Sequence, residues 1–220
     1  MSNRADNETE EEHLCAKSSP LQDWEKTEDY YALERDLNII TKAQTGLIPK
    51  PEQLRCAMAL ISGQDFTFVA ATGFGKSLVY QMAVMMMKKK FGTVGKFGIV
   101  VTPINALGED QVNACRNLPV PLKAVNLIEE AMVGDPNMVK DVCASKYDIV
   151  FLAPEKLLDR KSALHRMLAS KIGIKKIGFV LMDECHLVVD WYVNSKSPGC
   201  YGLSSLVANR KPDYGLSVRR

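Results

Sequence analysis

The chain has no Cys-x-x-Cys pair. Its six cysteines, at 15, 56, 115, 143, 185 and 200, are scattered without matched histidine spacing. That excludes a zinc module and a disulfide-stapled scaffold and fits a reducing compartment. No apolar run approaches the roughly 18 residues of a membrane span, and the N-terminal "MSNRADNETEEEH" has no hydrophobic core for a signal peptide. No internal repeat is present, so the 220 residues read as one domain plus tails. Net charge is small, +2, but uneven: residues 1–50 hold 11 acidic and 6 basic residues, and the rest holds 15 and 22. The expectation is a soluble intracellular protein, nuclear in a eukaryote. An acidic, disordered leader spans residues 1–22, and the basic body is compatible with a polyanionic partner or with an ordinary solvated face.

What is present is an alternation of helical and strand-like patterns. "WEKTEDYYALERDLNIITKA" predicts a helix, and "PEQLRCAMALIS" a second with proline at its start. Five short apolar runs rich in β-branched residues follow: "DFTFVAA" (65–71), "KFGIVVTP" (96–103), "LKAVNLI" (122–128), "YDIVFLAP" (147–154) and "KIGFVLMD" (176–183). Runs of this kind, most with helical patterns between them, predict buried parallel strands in an α/β sheet covered on both faces. Ligands of such sheets sit at the carboxyl ends of the strands. The methionines at 82, 85, 86 and 87 read as core filling, and Lys88, Lys89 and Lys90 as a solvated helix end favoured by the dipole.

Between "DFTFVAA" and "SLVYQMAVMMMKKK" stands Ala70-Ala71-Thr72-Gly73-Phe74-Gly75-Lys76-Ser77, followed by Leu78. It is the phosphate-loop pattern with alanine in the first glycine place, in the strand–loop–helix context the pattern needs. Gly73 and Gly75 let backbone N–H groups turn inward, and the following helix adds the positive end of its dipole. Lys76 supplies a point charge for the β- and γ-phosphates, and the Ser77 hydroxyl a ligand for Mg²⁺. A second carboxylate site is expected after another strand, and "GFVLMDECH" supplies it 107 residues beyond Lys76. Asp183 is placed to hold Mg²⁺ through water, Glu184 to polarise the attacking water, and His186 to sense the γ-phosphate. Standing alone, the Asp-Glu pair would read as a solvated strand end.

Asp183-Glu184-Cys185-His186 resembles the second motif of the superfamily 2 helicases, with cysteine where a small residue often stands. Gln53 in "KPEQLRCAMAL", 23 residues before Lys76, resembles the adenine-reading glutamine of the RecQ-like DNA helicases. "VVTPINALGEDQV" (100–112), with Thr102, Pro103 and Asn105, resembles their next motif, and "VFLAPEKLLD" (150–159) their Thr-Pro-Glu motif, with Ala153 before Pro154. Trp191 lies eight residues after Asp183, matching the tryptophan of the family's aromatic-rich loop. The ordered set covers roughly residues 50–191. It implies a RecA-like P-loop NTPase domain over 23–191 that binds ATP and Mg²⁺ and drives 3′→5′ travel on single-stranded or partly duplex DNA. Thr102, Asn105 and nearby N–H groups are then candidates for phosphate contacts, which position a strand without reading its sequence. Asp110 and Glu155 are carboxylates that more often orient neighbours or cap helices than touch a polyanion.

Departures from the resemblance are concentrated after Trp191, where residues 192–220 form a divergent tail. "RKPDYGL" (210–216) resembles the end of the family's loop pattern displaced by about twenty residues, so "YVNSKSPGCYGLSSLVAN" reads as an insertion. The second RecA-like domain, which in this superfamily supplies a charge-stabilising arginine worth about 10³–10⁵ in turnover, is not among these residues. The expectation is therefore nucleotide binding with weak hydrolysis and no unwinding by these 220 residues alone. Two other classes share parts of the pattern. A phosphate-loop kinase or GTPase-like switch would use Lys76, Ser77 and Asp183, but Gln53, His186 and the lack of Asn-Lys-x-Asp stand against it. A non-catalytic relic would keep the fold without hydrolysis.

Overall fold

The computed structural model describes residues 27–92, 95–102, 105–159 and 161–183. Helix α1 (Glu28–Thr45) begins where the Thr27 side chain accepts from the Tyr30 N–H at 3.2 Å and ends at Gly46 in the left-handed region. After α2 (Pro51–Ile61) come α3 (Lys76–Phe91), β1 (Phe97–Val101), α4 (Asn105–Arg116) and β2 (Ala124–Asn126). Two short helices, α5 (Glu129–Gly134) and α6 (Met138–Cys143), lead to β3 (Ile149–Leu152). Helices α7 (Pro154–Leu158), α8 (Ala163–Ala169) and α9 (Lys171–Lys176) then lead to β4 (Ile177–Met182).

The strands form one parallel sheet in the order β2-β3-β1-β4, with Val101 level with Leu152 on one side and Met182 on the other. Strand β1 is central, and all five of its residues are buried. Period-two alternation divides the sheet's side chains between two cores. Val100, Ala124, Ile149, Phe151 and Phe179 join residues of α1 to α4 on one face. Phe97, Ile99, Val101, Val125, Val150, Leu152 and Ile177 join Val142 of α6 and Leu164 and Leu168 of α8 on the other. This is the α/β layering expected, with both faces covered.

One expected strand is corrected. Residues 65–71 form no ladder among the described residues. Their exposure does alternate with period two: Phe66 and Phe68 pack on the first core, while Val69 stands 90% exposed. Apolar alternation shows which side chains are buried, but a strand also needs a neighbour for its amides, and residues 65–71 pair with none of β1 to β4. The other four runs are strands, each trimmed at its ends to the residues that pair.

The methionines are core, as expected: Met82, Met85, Met86 and Met87 are at most 4% exposed. The lysines at the end of α3 are more engaged than expected. Lys88 pairs with Asp148 at 2.8 Å, and the same Asp148 oxygen accepts the Lys123 N–H at 2.8 Å, which ties the helix end to the edge of β2 and β3. No described helix is long and apolar enough to cross a membrane.

Burial raises the Cys115 thiol from 9.0 to about 11 against a lowering hydrogen bond from Gln81, and burial likewise raises Cys56 to about 11. The folded chain thus keeps protons that the unfolded chain releases above about pH 9, so these thiols contribute stability that is lost as pH rises toward 11. Urea midpoints measured across pH 8 to 10.5 should decline, and the decline should be shallower in Cys115→Ala.

Candidate nucleotide site

The segment from Ala71 to Gly75 is a tight, exposed turn. The Phe74 N–H bonds the Ala71 carbonyl at 3.2 Å, and Gly73 and Gly75 sit at φ +79° and +89°. A side chain is strained at those angles. Gly75 is constrained a second time, because a Cβ there would lie 2.7 Å from Gln53 Nε2. Gly75 is also the N-cap of α3, and no side chain caps this end and no carboxylate lies in the first turn. The orphan N–H groups and the positive end of a 16-residue helix therefore face the loop unneutralised. Lys76 folds back so that its ammonium donates to the Ala70 carbonyl at 3.0 Å, spanning the loop. A concave set of N–H donors with a lysine ammonium across it fits a polyphosphate.

The loop is anchored to α2 by Gln53, whose exposure is only 3%. Its Nε2 donates to the Phe74 carbonyl at 3.0 Å and the Gly75 carbonyl at 2.9 Å, and its Oε1 accepts the Lys50 N–H at 2.8 Å. Both amide protons are thus used, and one Oε1 lone pair remains. The Lys50 ammonium lies 4.0 Å from the Phe74 ring centroid, and Phe68 meets that ring edge-on at 5.7 Å. Sequence reading placed Gln53 but missed this clamp, and no pattern marks Lys50 as a partner of Phe74.

Across the sheet's carboxyl edge the strand order sets Ala153, Thr102 and Asp183 side by side, just past β3, β1 and β4. The Thr102 N–H bonds the Leu152 carbonyl at 3.0 Å and the Asp183 N–H the Val101 carbonyl at 2.9 Å, so each is one rung beyond its ladder. Asp183 lies near Tyr80 of α3. The Asp183 carboxylate is close enough to the Tyr80 phenol, one turn into α3 from Ser77, to act on it electrostatically. The tip of β4 and the first turns of the phosphate-loop helix, far apart in sequence, are therefore neighbours. Among the described residues no group of three His, Cys, Asp or Glu side chains could hold a metal by itself. A hydroxyl and one carboxylate are the donor set expected when phosphate oxygens supply other ligands of a magnesium ion.

With this geometry in view, residues 50–208 match the family described as "DEAD/DEAH box helicase". The chain belongs to that family. This helicase domain is 32% identical over 143 residues to the mouse "Bifunctional 3'-5' exonuclease/ATP-dependent helicase WRN", covering 64% of the chain and 9% of that protein. It is 28% identical over 144 residues to the yeast "ATP-dependent helicase SGS1", 64% of the chain and 10% of that protein. It is also 30% identical over 144 residues to the human "Probable ATP-dependent RNA helicase DDX49", 64% of the chain and 28% of that protein. The chain spans less than a third of the length of each.

The remaining expected residues of the helicase domain divide in two. Pro103, Glu184, His186 and Trp191 lie outside the described residues, as do the leader and the tail from 192 onward. Of the expected polar strand contacts, Thr102 is 3% exposed, whereas Asn105 at the head of α4 is exposed. Its carbonyl accepts from the buried Asn126 Nδ2 at 3.1 Å, which fixes the start of α4 against β2. Ala153 is the N-cap of α7, and Pro154 its first residue is buried.

Gln53→Ala should lower unfolding free energy by about 1–2 kcal/mol, through loss of its buried hydrogen bonds. Limited proteolysis should then cut the 71–75 turn faster than in wild type, while unchanged cleavage and urea midpoint would show that the clamp holds nothing.

Proposed function

We propose that this domain binds ATP with Mg²⁺ at the 70–78 loop and couples its hydrolysis to contact with a nucleic-acid strand, as a RecQ-like DNA helicase ATPase domain. The reading is carried by one observation: an uncapped helix start has a lysine folded across it, and the carboxylate at the tip of β4 lies in the field of Tyr80, one turn into that helix. Lys76 exchanges the Ala70 carbonyl for β- and γ-phosphate oxygens. Ser77 and Asp183 hold the metal, which when bound neutralises charge on the β- and γ-phosphates. Glu184 takes a proton from the attacking water, and His186 senses the γ-phosphate.

The free Oε1 lone pair of Gln53 favours a base that presents a donor. Adenine's exocyclic amine is one, whereas guanine carries an acceptor oxygen there, so ATP is preferred over GTP. Asn105 and Ala153, on the rim, contact the sugar–phosphate backbone of single-stranded or partly duplex DNA, and Pro103 and Trp191 are assigned the same role by the resemblance alone. The similarity to an RNA helicase makes RNA the competing ligand for the same rim.

Titration with Mg-ATP should give saturable binding that exceeds binding of Mg-GTP and drops at least about tenfold in Lys76→Ala, the order of one lost charge-assisted contact. Matched dT and rU oligonucleotides compare the two strands. An absence of saturable Mg-ATP binding would remove the nucleotide reading, and preference for rU would turn the strand assignment to RNA.

A further inference from the structure

All four strands run parallel, so their first residues share one edge of the sheet, opposite the rim of Ala153, Thr102 and Asp183. The residues that lead into β2, β3, β1 and β4 along this amino edge are Lys123, Asp148, Lys96 and Lys176. Two helices bring more cations to it. Lys88 at the end of α3 reaches Asp148 at 2.8 Å, and Lys175 stands beside Lys176 at the end of α9. Lys146, in the turn before β3, pairs with Asp141 at 2.7 Å and has Asp135 nearby. Lys123, Lys146 and Lys175 are exposed. Beyond residue 50 the chain holds 22 basic residues against 15 acidic, and on this edge six lysines meet three aspartates, so much of that excess is gathered here.

Helix dipoles explain part of the clustering. Cations are favoured at the ends of α3 and α9, and the Lys176 ammonium donates to the Cys143 carbonyl at the end of α6 at 2.7 Å. Lys96, Lys123 and Lys146 lie in no helix, and a strand start needs no charge in order to pair. Four strand starts about 4.8 Å apart span about 14 Å, a length over which a nucleic-acid duplex presents about eight phosphate charges. Lysine is a flexible point charge, suited to holding a backbone rather than to reading base edges. The rings of Phe97 and Tyr147 at this edge pack on the second core, so single-stranded bases have no fully exposed ring among the described side chains there to stack on. We infer that the amino edge of the sheet docks the phosphate backbone of a duplex arm, on the side of the sheet away from the rim proposed for the single strand. Strand β1 is five residues long, which sets the two edges about 17 Å apart. A substrate that is part single strand and part duplex thus meets a surface for each part. The duplex surface stands without the Mg-ATP reading of the loop.

The test is fluorescence anisotropy of a labelled blunt duplex and of a dT strand, each titrated with the whole chain from about 50 to 200 mM salt. Wild type is compared with the double variant Lys123→Gln/Lys175→Gln. Both lysines are exposed, and the contact of Lys123 with Asp148 is made by its backbone N–H, so the urea midpoint should not move. At the lower salt, duplex affinity should fall about tenfold or more, and the slope of log K against log salt should shrink by about two, one for each lysine removed. Affinity for the dT strand should change by less than about threefold, because charges more than a Debye length from the strand are largely screened. Lys146→Gln, a third exposed position, should shrink the duplex slope by about one and covers the chance that the double variant folds poorly. An unchanged duplex slope in both variants, a wild type without salt-dependent duplex binding, or equal losses on duplex and dT strand would each overturn the assignment.

Discussion

Helix α3 is buried around its whole circumference from Leu78 to Met87, and every residue of that stretch but Gln81 is aliphatic, aromatic or methionine. A helix of that kind can be stable only where something covers each of its sides. The sheet covers one side, α1 and α2 another, and α4 a third through Val112 and Cys115. Because the helix cannot rotate or slide without exposing a methionine or a valine, its first turn is held in place too. That turn is the end of the phosphate loop. The geometry of the anion cradle is thus a by-product of packing behind it, and the polar groups that finish it need only short reaches: Lys76 to Ala70, and Gln53 to Phe74 and Gly75.

Much of this was legible in the order of residues. The four paired strands are runs whose β-branched composition and turn boundaries announce them, and the phosphate loop is a pattern whose glycines have a stated conformational reason. Both glycines do take positive φ. What was not legible is whatever depends on a neighbour. The run 65–71 has strand composition and strand alternation, but composition is silent about which amides will find partners. Thr102 sits in a recognisable motif, yet its burial follows from being one rung past β1 between β3 and β4, which only the strand order reveals. Gln53 was found through its resemblance to the adenine-reading glutamine of the RecQ-like helicases. Its engagement with two loop carbonyls depends on the angle between α2 and α3, which spacing does not encode.

Tyr80 is the clearest case of a residue hidden by its setting. In the sequence it is one apolar position in "SLVYQMAVMMM", and helical periodicity assigns it to the core, correctly. Only the polar tip distinguishes it from a phenylalanine there, and the tip matters because Gln111, 31 residues further on, arrives beside it. Alanine at positions 70 and 153, where related patterns carry glycine and threonine, also makes sense locally. Ala70 contributes its carbonyl to Lys76, a backbone group that any residue supplies, and Ala153 serves α7 through an extended backbone without a side-chain cap.

The methionine content of α3 has a chemical corollary. Thioethers are among the most readily oxidised groups in proteins, and a sulfoxide is polar, chiral and bulkier than the sulfur it replaces. Met82, Met85, Met86 and Met87 are shielded from peroxide only while the core is closed, and Met87 lies so near Gly178 that even a Cβ there would collide with its sulfur. An oxygen added to any of the four could not be fitted back without shifting the helix. Oxidative damage to the unfolded chain would therefore register at the nucleotide loop, some distance from the modified atom.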